Sequence, residues 1–517
     1  GELPQLLFTS KVFLRSGFTP EEVLRMLTHG PAELTGVSDR VGTLSAGKDA
    51  DFVVLSGQPL ENGSKVTATY VNGNEVYKHH SPSDVLRIDA SKVYTGSEVI
   101  HQASVSVARG KIQGVGKSVT VPEGATTRSY PSGVIVPGWI DVGAELGLGG
   151  PINDVIPLDT KLGNWLLSDD ETVRYVRQSG ITTAFVSSTR SPSPVMAFKL
   201  GDRPRVVKDP VAIRFAVTGE IAAAENSMRR TLASAKQYAT AWSQYEASYR
   251  DYKNKLLEYE ANKKKFDEAV KAAEQKKAEE EKKAKEPEKP KSESEASKPQ
   301  DPKPVPATPT ATPATTPPSN ELKEPEKPKE PEKPKANAAL EPYRPLFAGE
   351  LIAMVDVESE RLVEVAIKLF RQEFELPTVI VGGEAAVKQV ELLRKHQVAV
   401  VAGPTLVRED TNETTNIPVE LAVNSVPFLF QSQASSGARK LPDAIAYSVY
   451  RGLGVGDAVR GLTLEAAKQF KLPDIGLLAT GKDADLVVLS GDPLDMGTEV
   501  LAVIIDGKIV YERGVEP

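Results

Sequence analysis

The chain has 517 residues, 40% of them apolar, and a formal net charge of −7. That length suggests two or three domains with room for a large core, and the acidic balance argues against nucleic-acid binding as the main activity. With no cysteine, disulfides, thiolate metal sites and Cys nucleophiles are excluded, and no apolar run approaches the roughly 20 residues of a membrane-spanning helix.

The chain opens at Gly1 directly on an amphipathic pattern, with no initiator Met and no charged-then-apolar leader; it is read as a segment with more chain upstream. A repeat then organises it. Residues 47–60 read GKDADFVVLSGQPL and residues 481–494 read GKDADLVVLSGDPL. The register holds without a gap to Tyr77 and Tyr511, matching Val66 with Val500, Gly73 with Gly507 and Val76 with Val510. In each copy a β-branched run starts at Asp51 or Asp485 and predicts a strand. A second strand follows around Thr69–Val71 and Val503–Ile505, then a hairpin at Asn72-Gly73 or Asp506-Gly507 and a return over Glu75–Tyr77 and Ile509–Tyr511. The structural reading of GKDAD is preferred to a catalytic one: Gly for the turn, Asp to bond backbone, strands for a core.

Residues 84–137 are β-rich as well. Lys92-Val-Tyr-Thr-Gly, Ala103-Ser-Val-Ser-Val and Lys111-Ile-Gln-Gly-Val alternate at period two, Arg109-Gly110 marks a hairpin, and Val134 to Asp141 reads as one apolar strand. From there to Gly461 strands alternate with helices. Strands are predicted at Ile181–Val186, Val211–Val217, Leu351–Val355, Thr378–Val381, Val398–Val401 and Val426–Phe430. Helices are predicted at Thr172–Gln178, Glu358–Phe374, Ala385–His396 and Pro442–Gly452. This order implies a parallel sheet covered by helices, with about 230 residues left for an eight-stranded α/β barrel once an insert is removed.

The insert has two parts. Tyr238, Trp242, Tyr245, Tyr249, Tyr252, Leu256 and Tyr259 recur at spacings of four and three, and Phe266 and Val270 extend the seam. This predicts a long helix that packs back on the barrel or, through Tyr238 to Val270, pairs with itself or a protein partner. Lys271–Lys285 is solvated charge. Residues 286–335 are Pro, Lys, Glu, Ser and Thr without one aromatic and predict a disordered, polyproline-like linker. The expected divisions are 1–80, 84–137, 138–237, 238–285, 286–340, 341–470 and 476–517.

Three motifs carry a family resemblance. Gly133-Val-Ile-Val-Pro-Gly-Trp-Ile-Asp is similar to the strand that opens the barrel of the metal-dependent amidohydrolases. Leu462-Thr-Leu-Glu-Ala-Ala and Leu27-Thr-His-Gly-Pro-Ala resemble that superfamily's T-x-x-(P)-A helix, and Val41 to Asp51 resembles its closing β-segment. Imidazolonepropionase-like members are the nearest in character. The resemblance covers about 80–230 and 341–517, with 1–80 as the tail of a preceding copy. It implies a (β/α)8 TIM-like barrel and a small β-sandwich built from 84–137 and 476–515, with 37–80 as half of an earlier sandwich. It also implies a hydrolase acting on non-peptide carbon–nitrogen bonds through water activated on Zn or another divalent metal.

The resemblance requires His-x-His after the first strand, further His on mid-barrel strands and an Asp after the last. Here those places hold Gly143-Ala144-Glu145, Asp356, Gly382 or Gly383, and Gln431-Ser432-Gln433. The vestigial positions are thus Gly143, Glu145, Asp356, Gly383 and Gln433, and no cofactor is expected. The five histidines agree: His29 and His396 sit on or at helices, His79 and His80 in a connection, His101 by a β-strand. Asp141, Glu145 and Asp356 could still converge as an oxygen-ligand site for Mg, Ca or Mn. Nucleophile elbows and P-loops are absent, and Ser435-Ser436-Gly437 is a loop signal only. Two expectations follow: a silent barrel with a structural or interaction role, or an active C–N hydrolase through an upstream copy or an unusual carboxylate-lined site.

Overall fold

The computed structural model describes residues 10, 12–60, 66–78, 85–167, 170–283, 324–409, 414–433 and 435–514. It divides into two compact units, Gly1–Arg230 with Pro345–Pro517, and Thr231–Arg344.

The first unit begins with helices Pro20–Leu27 and His29–Leu34. Thr19 caps the former: its side chain accepts from Glu22 N–H, and Glu22 accepts from Thr19 N–H in return, satisfying two donors no helical carbonyl can reach. Strands β1 (Phe52–Leu55), β2 (Val66–Val71) and β3 (Asn74–Lys78) follow as an antiparallel sheet in that order.

Next come β4 (Leu86–Tyr94), β5 (Val99–Ala108), β6 (Lys111–Gly116) and β7 (Thr126–Pro137). The single strand expected over 134–141 is two, because β8 (Trp139–Asp141) belongs to a different sheet. Gly138 makes the passage possible: a Cβ there would stand 2.2 Å from Thr182 Oγ1.

The barrel continues with β9 (Ile181–Ser187), β10 (Ser193–Lys199), β11 (Arg205–Val217), β12 (Ile352–Val357), β13 (Thr378–Val381) and β14 (Ala399–Ala402). A short ribbon of β15 (Val407–Glu409) and β16 (Thr414–Asn416) precedes β17 (Phe428–Phe430). Eight strands hydrogen-bond in the order β17-β14-β13-β12-β11-β10-β9-β8. Val142 N–H donates to the Phe430 carbonyl, 3.1 Å, so the two edge strands meet and the sheet nearly closes. Each strand sends a side chain into one core: Ile140, Phe185, Val195, Ala212, Met354, Val379, Val401 and Leu429, a filled interior rather than a pore.

The barrel departs from eight parallel strands. β10 runs antiparallel to both β9 and β11. The connections at 188–192 and 200–204 are far short of the roughly dozen residues a parallel crossover needs. Helix boundaries shift too. The helix expected over 358–374 is α-helical over Glu360–Ala366 and π-helical over Ile367–Glu373. That expected over 385–396 is broken into Gly383–Ala386, Val387–Gln389 and Val390–Lys395. Ser435-Ser436-Gly437 is no loop but the start of a helix, Ser435–Tyr450, with Pro442 inside it.

The last strands, β18 (Leu486–Leu489), β19 (Val500–Ile505) and β20 (Lys508–Glu512), join β4–β7 in one continuous sheet of order β20-β19-β18-β7-β4-β5-β6. Strand β7 is the link, parallel to β4 and antiparallel to β18. Both halves feed one core, with Ile88 and Val105 from one and Leu486 and Ile504 from the other; where a small β-sandwich was expected, their strands hydrogen-bond as a single seven-stranded sheet.

A helix, Ile221–Lys283, runs from the first unit into the second. It starts well before the expected 238, because Ala222 to Arg230 is helix-favouring without the aromatic stripe. Within the second unit the stripe packs on the returning chain. Lys333 Nζ lies 5.7 Å and the Arg344 guanidinium 4.7 Å from the Trp242 ring. Asn337 N–H donates to Tyr238 Oη at 3.1 Å, Tyr238 donates to Glu341, and Lys263 pairs with Glu324. Of the linker expected over 286–340, residues up to 323 lie outside the described set, whereas 324–340 line the helix. Among the described residues no helix is long and apolar enough to cross a membrane.

Candidate active site at the barrel mouth

The C-terminal ends of β8, β9, β11, β12 and β17 carry the polar side chains of the mouth. Asp141, fully buried, ends β8. Its Oδ2 accepts from Ser432 Oγ at 2.5 Å, and its Oδ1 accepts from the N–H groups of Gly143 and Ser432, both at 3.1 Å. Burial pushes this carboxyl up to about 6, against the three donors that favour the ion.

Asp356 ends β12 and faces Arg214 of the neighbouring β11. The pair is bidentate, Nε to Oδ2 at 2.6 Å and NH2 to Oδ1 at 2.7 Å, and Arg214 also donates to Ser187 Oγ at 3.2 Å. Burial works against the guanidinium's charge, but Asp356 and the nearby Glu145 raise its pKa further. The expected convergence of Asp141, Glu145 and Asp356 therefore does not occur: Asp356 is bound by Arg214, on which Glu145 acts only electrostatically, while Asp141 is engaged by Ser432. Among the described residues, the only carboxylates grouped closely enough to hold an ion are Asp483, Asp485 and Asp506, not these three.

The other expected positions are closely packed. A Cβ on Gly143 would stand 2.4 Å from Gln431 Oε1, and one on Gly383 would stand 2.9 Å from Ile417 Cγ2. Gln433 takes left-handed backbone, φ 48°, and donates its N–H to the Gly143 carbonyl at 2.7 Å. Sequence reasoning missed Arg214 and Ser187, and it named Ser432 without giving it a role. The available signal was Arg214 itself, a lone cation within the apolar run Val211–Val217.

None of the described histidines joins the mouth. His29 opens a helix beside Glu33, His101 lies within β5, and His396 follows a helix and bonds Gln372. His79 and His80 lie outside the described residues.

The GKDAD motif does more than bond backbone. Asp485 Oδ1 accepts from Asp506 N–H at 2.9 Å, as expected, and its Oδ2 lies 2.7 Å from Nζ of Lys199, which is fully buried at the end of β10. Asp483 lies 2.7 Å from the same Nζ and 2.6 Å from Lys111, and Asp506 binds both Lys199 and Arg205. Burial opposes the charge of Lys199, yet the carboxylates hold its pKa above the ordinary value. The grouped aspartates thus already enclose an ammonium. In the N-terminal copy Asp51 keeps the backbone bond, to Asn72 N–H at 2.7 Å, while Asp49 pairs with Arg40 instead.

Family comparisons agree with this architecture. Models described as Amidohydrolase family match residues 2–76 and 446–511, so these two stretches carry that family's sequence pattern. Adenine deaminase 1 of Carboxydothermus hydrogenoformans is 40% identical over 70 residues, 14% of this chain. N-acetylglucosamine-6-phosphate deacetylase of Danio rerio is 41% identical over 63 residues, 12% of this chain. The aligned stretches span only 11% and 14% of those two proteins. An amidohydrolase from Thermotoga maritima MSB8 superposes with a TM-score of 0.55 at 20% identity, covering 83% of this chain and all of its own, a likeness of fold.

Proposed function

We propose that this chain's barrel is a degenerate amidohydrolase domain, catalytically silent, with a structural or interaction role. The Arg214–Asp356 pair carries this reading. At a position where the family resemblance calls for a metal donor, the carboxylate is bound by a guanidinium, and a divalent cation beside it would meet like charge. Gly143 and Gly383 offer neither donor nor room, and Asp141 is already engaged by three donors. This set does not fit Zn, which takes imidazole, thiolate or carboxylate in tetrahedral array.

A second reading is C–N hydrolysis at an unusual carboxylate-lined mouth. It is favoured by the names of the matched relatives, a deaminase and a deacetylase. One experiment separates the two. Metal content is measured by plasma mass spectrometry, and hydrolysis of adenine, N-acetylglucosamine 6-phosphate and cyclic amides is assayed with Zn, Mn and Mg for wild type and Glu145→Gln. The silent barrel is expected to hold far less than one ion per chain and to show no turnover. About one tightly held ion, or metal-dependent turnover abolished by Glu145→Gln, overturns it.

A further inference from the structure

The long helix and the chain that returns along it follow two different periods. On the helix, Tyr238, Trp242, Tyr245, Tyr249, Tyr252 and Tyr259 are half-buried, while the polar residues between them are exposed. Ring centroids follow one another at 6.2 Å from Tyr238 to Trp242, 5.9 Å to Tyr245, 5.7 Å to Tyr249 and 5.9 Å to Tyr252. A continuous aromatic strip thus runs along one side of the helix.

On the returning chain every third residue is a proline: Pro325, Pro328, Pro331 and Pro334. These are half-buried, and the Glu and Lys residues between them are all exposed. Residues 324–337 contain no helix, strand or turn. A period of three without internal hydrogen bonds is that of a polyproline II helix, which sets every third side chain on one edge. The lengths agree as well. Contacts run in opposite order on the two partners, with Glu324 at Lys263, Lys333 over Trp242 and Asn337 at Tyr238. From Glu324 to Asn337 a polyproline II strand rising about 3.1 Å per residue spans about 40 Å. From Lys263 back to Tyr238 an α-helix rising about 1.5 Å per residue spans about 38 Å.

We infer that the aromatic strip over 238–259 is a binding site for polyproline II strands with proline at every third position and Glu and Lys between, filled here by the chain's own 324–335. In this mode apolar proline rings seat on aromatic side chains, and the strand is stiff before it binds, so little conformational entropy is lost. Charge fixes its direction, through Glu324 on Lys263 and Lys333 on the Trp242 ring. Because the strand belongs to the same chain, it is held at high local concentration. A free ligand of the same class takes the site once the period of the chain's own strand is broken. The inference is independent of whether the barrel mouth is silent.

Hydrogen exchange with mass spectrometry on the full chain tests it. The variant Lys327→Pro, Pro328→Lys, Pro331→Glu, Glu332→Pro keeps composition and charge but breaks the three-residue period. Amides over 242–259 should exchange at least about tenfold faster in it than in wild type, because the helix there loses its packing. A synthetic peptide of the sequence 324–337 is then added at about 1 mM, the order of concentration a tether supplies. It should slow that exchange at least about threefold, whereas a peptide carrying the same four substitutions should not. The native peptide should also lose its effect when Tyr245→Ala and Tyr249→Ala are added to the variant. Equal exchange in variant and wild type, no slowing by the native peptide, equal slowing by the substituted one, or slowing that survives loss of the two tyrosines overturns the proposal.

Discussion

Asp141 makes the charge state of the mouth measurable. With its carboxyl raised from 3.8 to about 6 by burial, the folded chain holds a proton between those values that the unfolded chain has released. Stability therefore falls as pH rises through that window, by about 3 kcal/mol in all. Asn can accept from the same two N–H groups and donate to Ser432, as the protonated acid does. Asp141→Asn is thus expected to stabilise the protein by about 1–2 kcal/mol at pH 7.5 and by close to nothing at pH 4.5, read from urea melts at both pH values. A loss at pH 7.5 would show that the carboxylate is needed as an ion. Asp356→Ala strands a largely buried guanidinium and should cost roughly 2–3 kcal/mol in the same melts. Rebuilding the family's donors as Gly143→His, Glu145→His, Asp356→His and Gln433→Asp should lower the melting temperature rather than create a metal site. The Gly143 Cβ alone meets Gln431 at 2.4 Å, and isothermal titration with Zn is the check.

At the scale of the element, the two GKDAD modules separate what the motif does locally from what it does at a distance. Asp51 and Asp485 accept the same backbone N–H of their hairpins, so Asp51→Ala should cost about 1 kcal/mol. Lys199→Met leaves Asp483, Asp485 and Asp506 facing one another without their shared cation, and should cost about 3–5 kcal/mol; thermal melts of the two variants make the comparison. The local part was legible in the sequence because hairpin dipeptides and β-branched runs act over a few residues. The distant part was not, since nothing near residue 483 points to a lysine on β10. Strand β10 itself went unread: Ser193-Pro-Val-Met-Ala-Phe-Lys is buried throughout, so it lacks the alternation that marks a half-exposed strand. Gly143 and Gln433 were named from their places in the sequence, but the Arg214–Asp356 and Asp141–Ser432 pairs join different strands and needed the fold.

For the whole molecule, the insert sets a geometric limit. The helix has 63 residues, about 95 Å of length at 1.5 Å per residue, and Glu324 meets it at Lys263, about 30 Å short of Lys283. Removing 296–322 leaves enough extended chain, at about 3.3 Å per residue, to span that distance, and the melting temperature should not change. Removing 286–335 does not, because Asn337 must reach Tyr238, about 68 Å back along the helix. The distal turns should then unravel, with a loss of helical circular dichroism. A consequence of another kind follows from the buried Lys199. It precedes Asp483 by 284 residues, roughly 15–60 s of synthesis at about 5–20 residues per second. For that interval the nascent barrel floor has a lysine without its counter-ions, and water must stay there until the last strands emerge. In chains halted after residue 475, Lys199 should be acylated by an amine reagent as readily as a surface lysine, whereas in the finished protein it should resist; equal resistance in both would mean that the floor closes without its final strands.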